Sequence, residues 1–230
     1  MENKEITTGV AGHRERVLKK FMQYGGEVFA DYELLELLLM QAIPRKDVKP
    51  LAKELLARFG HLSAVIQATP EQLKQVKGIG DHTAAFLKLI LYAGQRLTQE
   101  KLVKAPVLSD WNSMLDYAQM LYAGETVEKL RILFLNQKLQ LTHTEIHQTG
   151  TINHVPIYPR EVLKRALNLN ASAIILMHNH PSGDPVPSGD DIRATQEIEK
   201  LLNTIPIRLL DHLIIGQNKK CYSFRAHHAL

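Results

Sequence analysis

A single cysteine, Cys221, stands in the whole chain of 230 residues. One thiol excludes an internal disulfide framework, and by itself it cannot make a cysteine-based metal site. No apolar run approaches the roughly 18 uninterrupted residues that a membrane-spanning helix requires. The opening Met1-Glu2-Asn3-Lys4-Glu5 lacks the apolar core of a signal peptide. A soluble, cytoplasmic protein with no membrane partner is therefore expected. There is no internal repeat, no low-complexity segment and no His-Glu-x-x-His helix. Strong net charge is absent too. The formal excess is +4, with 12 Lys/Arg against 12 Asp/Glu from Pro106 onward, so all of it belongs to the first part. That permits a polyanion partner there, but falls far short of a basic nucleic-acid-binding tail.

What is present divides into two kinds of grammar. Up to about residue 100 every pattern is helical. A polar start, frayed to about residue 12, precedes an amphipathic stretch from His13 to Tyr24 that Gly25-Gly26 ends. Asp31 is expected to cap the leucine-rich run Leu34–Met40. Pro50 fits the first turn of a helix reaching Phe59, and shorter helices are expected from Ser63 and after Thr69-Pro70. Residues 97–107, polar and basic with one proline, suit a linker. The expected domains are therefore 1–100, all helical, and 106–230. In the second, Ser109 is expected to cap a helix. Strands follow at 130–135, 139–146 and 150–157, then a helix from Pro159, a buried strand, a helix and strands at 207–215 and 221–224. Mixed strands and helices in that order give an α/β class.

Leu73 to Leu87 holds Lys74, Lys77, Gly78 and Gly80 between two helical patterns, and resembles a helix-hairpin-helix element. Its glycines would let backbone N–H groups approach a phosphate, making DNA a candidate partner of the first domain. A tight helix–helix turn that needs glycine for positive φ explains the same residues. Asp81 places a negative charge where a phosphate would approach, and Lys74 and Lys77 partly offset it.

The chemistry concentrates between His178 and Asp191. The apolar run Ala173-Ile174-Ile175-Leu176-Met177 reads as a buried strand that ends in His178-Asn179-His180. Side chains repeat with period two along a strand, so both histidines face one side. A Pro/Gly/Ser loop follows, and Asp190-Asp191 opens a helix whose first turn can return a carboxylate to the imidazoles. His178, His180 and Asp191 with a fourth position left for water describe a catalytic zinc site. Water held there has its pKa pulled toward about 7. Ser188, one helical turn before Asp191, is placed to hold a developing oxyanion. The remaining histidines, among them His143, His147, His154, His212, His227 and His228, read as surface or hydrogen-bonded core residues, with Asp211-His212 the alternative of a supporting pair. A metallo-β-lactamase-type site would need Asp and His at positions that hold Ser182 and Gly183.

His-x-His, seven residues, Ser, two residues and Asp is similar to the signature of the JAB/MPN metalloenzymes (JAMM). The string HNHPSGDPVPS, with YPREVLKRAL before and LLDHLIIG after, resembles the bacterial RadC-like branch, the UPF0758 group. The resemblance implies a helical domain with a helix-hairpin-helix, then a JAB/MPN-type α/β (cytidine-deaminase-like) metalloenzyme domain. It also implies a Zn2+-dependent peptidase or isopeptidase site acting on a protein or peptide substrate. The family's proton-shuttling glutamate precedes the first core strand, which here points to Glu128, with Glu145 and Glu161 as competitors. Two other function classes remain: a metal-dependent nuclease acting on DNA, and a noncatalytic DNA-binding module with structural zinc.

Overall fold

The computed structural model describes residues 3–104, 106–107, 110–151, 154–217 and 220–230. The chain divides into two compact units, Met1–Ala93 and Gly94–Leu230. The first is built from helices: α1 (Asn3–Tyr24), α2 (Asp31–Ala42), α3 (Lys49–Phe59), α4 (Leu62–Gln67), α5 (Pro70–Lys74) and the start of α6 (Asp81–Lys104). Their apolar stripes close over Leu35, Leu39, Leu55, Val65, Leu73, Val76 and Leu87. Pro50 sits in the first turn of α3, where its missing N–H needs no partner. Thr69 caps α5 reciprocally with Gln72.

Several helix boundaries differ from the sequence expectation, each for a local reason. The chain is helical from Asn3, so the expected frayed start is helix instead. Ala30, not Asp31, is the N-cap of α2, because Glu33 accepts the Ala30 N–H at 3.0 Å. The Asp31 carboxylate is thereby released to accept the Leu62 N–H, also at 3.0 Å, at the start of α4. His61 rather than Ser63 caps that helix, its Nδ1 accepting the Ala64 N–H at 3.1 Å. Residues 97–104, expected as linker, continue α6. Leu, Gln, Glu and Lys are good helix formers, and nothing before Pro106 stops them.

The second unit takes in the end of α6 and continues with α7 (Trp111–Leu121). The expected cap, Ser109, lies outside the described residues, and Asp110 fills the position by accepting the Ser113 N–H at 3.1 Å. Then come β1 (Lys129–Leu135), β2 (Leu141–Thr149), α8 (Pro159–Asn168), β3 (Ala173–Asn179), α9 (Gly189–Leu202), β4 (Arg208–Ile215) and β5 (Cys221–Ser223). The strands form one sheet in the order β2-β1-β3-β4-β5. Among the described residues only β3 and β4 pair in parallel. A parallel neighbour needs a crossover, which α9 supplies. No strand forms at 150–157 among the described residues. Thr151 instead donates its N–H to the His154 carbonyl at 2.7 Å, turning the chain back, and 152–153 lie outside the described residues.

The central strand β3 is buried along its whole length and separates two cores. Ala173, Ile175 and Met177 pack with Met114, Tyr117, Ala118 and Leu121 of α7. Ile174 and Leu176 pack with Val162 and Ala166 of α8 and Ile198 and Leu202 of α9. His178 continues the second series by the period-two rule, so it faces the α9 side. No helix among the described residues is long and apolar enough to cross a membrane.

Candidate metal centre

The β3–α9–β4 connection explains why distant residues meet. The carboxyl end of a parallel strand and the amino end of its crossover helix lie side by side, where α/β sheets place their ligands. His178 lies at the end of the strand, His180 one residue beyond it, and Asp191 in the first turn of the helix. The His180 N–H bonds the Ile215 carbonyl at 2.9 Å, extending the β3–β4 ladder by one residue. Gly183, at φ +89°, then folds the loop back. That brings the Asp184 carbonyl 2.8 Å from His180 Nδ1. A carbonyl can only accept, so Nδ1 carries the proton and neutral His180 offers its Nε2 lone pair.

Ser188 is the N-cap of α9 and Asp191 its reciprocal partner. The Asp191 N–H bonds the Ser188 hydroxyl oxygen at 3.1 Å. In return Asp191 Oδ2 accepts from the Ser188 N–H at 2.8 Å and from its hydroxyl at 2.6 Å. The cap holds the carboxylate with Oδ1 3.4 Å from His178 Nε2 and Oδ2 3.8 Å from His180 Nε2. The two Nε2 atoms are 3.0 Å apart. One potential ligand atom from each of the three residues thus lies within 4.8 Å of the others.

Electrostatics fit a bound cation. Burial pushes the His178 imidazole down to about 4, so it is neutral at physiological pH. Burial also disfavours a charged His180, but the Asp191 carboxylate, the Asp184 carbonyl and Glu128 outweigh it and raise its pKa. Burial opposes the Asp191 charge as well. His180, His178 and the Ser188 cap overcome it and hold the carboxyl well below the usual range. Two imidazole nitrogens and an ionised carboxylate facing one point attract positive charge, and the donor types are those a divalent transition metal accepts.

Glu128 immediately precedes β1 and is 7% exposed. Burial raises its pKa, and it feels the charges of His180 and Asp191. Asn179, between the two histidines, explains that placement. Its side-chain oxygen accepts the Lys129 N–H at 2.9 Å, and its NH2 donates to the Val127 carbonyl at 3.0 Å. The strand that carries the histidines therefore grips the main chain on both sides of the glutamate. Glu145 lies elsewhere. Its carboxylate receives two hydrogen bonds from Arg165 at 2.9 and 2.5 Å, which lower its pKa, and His143 and His147 flank it. Glu161 is exposed on α8 beside Lys164.

The two halves of the Asp211-His212 pair act separately. Asp211 turns toward the end of the chain, accepting from Ser223 Oγ at 2.5 Å and the Arg225 N–H at 3.0 Å. His212 points toward the His178, His180 and Asp191 cluster, its Nε2 2.9 Å from His178 Nδ1. The other nitrogen of His212, Nδ1, lies 2.6 Å from Oγ1 of Thr195 on α9. The contacts of Asn179 and Thr195 are not evident from spacing, because they run across the sheet or onto the crossover helix. In the first unit, the turn between α5 and α6 has Gly78 at φ +103°. Lys74 there is bound to Asp81 at 3.0 Å, Lys77 is exposed, and the space beside Gly80 is open.

Residues 108–229 match the RadC-like JAB domain family, and residues 11–85 match the UPF0758 N-terminal family. A UPF0758 protein of Rhodobacter capsulatus is 47% identical over 208 residues, 90% of this chain and 97% of the relative. One from Ruegeria pomeroyi is 45% identical over 217 residues, 94% of this chain and 96% of the relative.

Proposed function

This chain belongs to the RadC-like JAB domain family, and on that premise we propose that it is a zinc-dependent hydrolase cleaving an amide bond in a peptide or isopeptide. The observation that carries the proposal is the convergence of His178, His180 and Asp191 beside a buried glutamate whose pKa is raised. Those three side chains would hold the metal and leave a coordination position open. Bound zinc would supply Lewis acidity, polarising a carbonyl and lowering the pKa of water toward about 7.

The protein's own groups supply the rest. Glu128 accepts a proton from the attacking water and returns it to the leaving nitrogen, a role that a raised carboxyl pKa suits. Asn179 holds that carboxylate's backbone in register with the ligands. Ser188 is proposed to steady the developing oxyanion with the hydroxyl that otherwise donates to Asp191. Three protein ligands favour a catalytic over a structural zinc site, since structural sites are normally closed by four.

The test is a parallel assay of the zinc-loaded protein on peptides, ubiquitin-like conjugates and DNA. Amide cleavage that Glu128→Gln abolishes while zinc is retained is the expected result. Cleavage of DNA alone would replace the peptidase reading with the nuclease one. Zinc binding with no hydrolysis of any of them would favour the noncatalytic module.

A further inference from the structure

We infer that the helical unit carries a phosphate-binding pocket at the turn between α2 and α3, apart from the hairpin that holds Gly78 and Gly80. The pocket is independent of the metal centre.

Arg45, Lys46, Lys49 and Lys53 fall within nine consecutive positions, with Asp47 the sole acid among them. The fold sets part of this stretch around a cavity of about 260 Å³. Met40 and Val48, both buried, give the cavity an apolar wall. Arg14 reaches in from α1 and donates to the carbonyls of Met40 at 2.9 Å, Ile43 at 2.6 Å and Lys46 at 2.8 Å. These oxygens end α2 and follow it, so Arg14 also ties the turn in place. Carbonyls fix a guanidinium without cancelling its charge. Among the described residues no carboxylate forms an ion pair with Arg14, Lys46 or Lys49. Glu33, whose charge Lys49 feels, is bound instead by the Ala30 N–H at 3.0 Å and by Lys20 at 3.3 Å. Lys49 Nζ lies over the Tyr32 ring, 5.7 Å from its centre, a contact that orients an ammonium without neutralising it. His13 completes the lining with its Nε2 engaged by Glu36 Oε1 at 2.7 Å, so it adds no free cation.

Arg14, Lys46 and Lys49 against Asp47 leave an excess of two positive charges around the cavity, three minus one. A phosphate monoester carries about −1.5 to −2 at neutral pH, which matches that excess. The Arg14 fork is occupied by carbonyls, so planar two-point recognition of a carboxylate is not on offer. The lysines act as point charges, the way lysine binds phosphate. The first main-chain donors of α3 take no part, because Asp47 Oδ1 accepts the Lys49 N–H at 3.0 Å and Pro50 has none. Pockets for drug-sized ligands begin at about 300 Å³, so this one suits a phosphoryl group with no more than a sugar attached.

The test is a titration of the full chain with inorganic phosphate, followed by amide NMR and compared with sodium chloride at matched ionic strength. Phosphate should shift the signals of Lys46, Asp47 and Lys49 and saturate them, and chloride should not. The double variant Lys46→Gln/Lys49→Gln should bind phosphate at least about 10-fold more weakly, with circular dichroism confirming its fold. Asp47→Asn keeps the acceptor for the Lys49 N–H and removes the one opposing charge, so it should bind several-fold more tightly. A folding defect cannot produce that gain. Lys74→Gln/Lys77→Gln should leave the response at residues 46–49 intact, which separates the pocket from the hairpin. Repeating the titration with a nucleoside monophosphate and a short single-stranded DNA identifies the source of the phosphoryl group. It belongs to a strand if the Lys46→Gln/Lys49→Gln variant loses DNA affinity, and to a free nucleotide if only monophosphate binding falls. No shift at residues 46–49, an equal response to chloride, wild-type phosphate affinity in the double variant, or no gain in Asp47→Asn would each overturn the pocket.

Discussion

His180 is the residue at which protons and a metal compete most directly. Its Nδ1 is committed to the Asp184 carbonyl, so its Nε2 can take either a cation or a second proton. Despite burial, Asp191, Asp184 and Glu128 favour the protonated form and raise its pKa. The sign follows: acid protonates the ligand and weakens metal binding, with the decline beginning above the ordinary imidazole value of about 6.5. Zinc affinity measured across a pH series should fall on acidification, and the fall should set in at a higher pH than an unperturbed imidazole would give. Affinity that is flat down to pH 5 would contradict the assignment. His178, pushed down to about 4, contributes to this decline only at lower pH. Asn179 gives a separate prediction. Asn179→Ala should retain zinc but lower any hydrolytic activity by on the order of 10- to 100-fold, because the Glu128 segment loses both of its side-chain anchors.

At the scale of elements, the β3–α9–β4 crossover does most of the assembly. Strand periodicity pairs the histidines, and a capped helix start returns Asp191 to them. Ser188→Ala removes the cap and a hydrogen bond to the ligand carboxylate together. It should destabilise the protein by about 1 kcal/mol in denaturant unfolding and weaken zinc binding. Unchanged stability and affinity would mean that the cap is dispensable. This element was legible in the sequence because its signals are local: an apolar run, a proline- and glycine-rich loop, and Ser three residues before Asp. His212 was less legible. It reaches His178 through a parallel pairing with a register shift between Ile174 and Ile175, and no local pattern encodes that offset. Thr195 is buried on α9, where it reads as an ordinary inward-facing position. The misplaced caps have a similar origin. Asp31 resembles an N-cap in isolation, but its partner is the start of another helix.

Across the whole molecule, every group assigned to the metal site comes from the unit Gly94–Leu230, and the core around Leu35 and Leu39 belongs to the helical unit. Leu35→Ala should destabilise the helical unit by about 2–5 kcal/mol and leave zinc stoichiometry unchanged. Thermal unfolding and metal analysis of one preparation check both halves of that statement. The two-part organisation was readable from the change of periodicity along the chain. The location of the change was less so, because residues 97–104 look polar enough for a linker yet favour helix.

The central claim is that His178, His180 and Asp191 form one metal site. Its most direct test is a zinc titration of metal-free protein, wild type beside His178→Ala, with circular dichroism confirming the fold of each. One equivalent bound by wild type and none at comparable affinity by His178→Ala is the predicted result. One equivalent bound equally well by both would place the metal elsewhere and contradict the account.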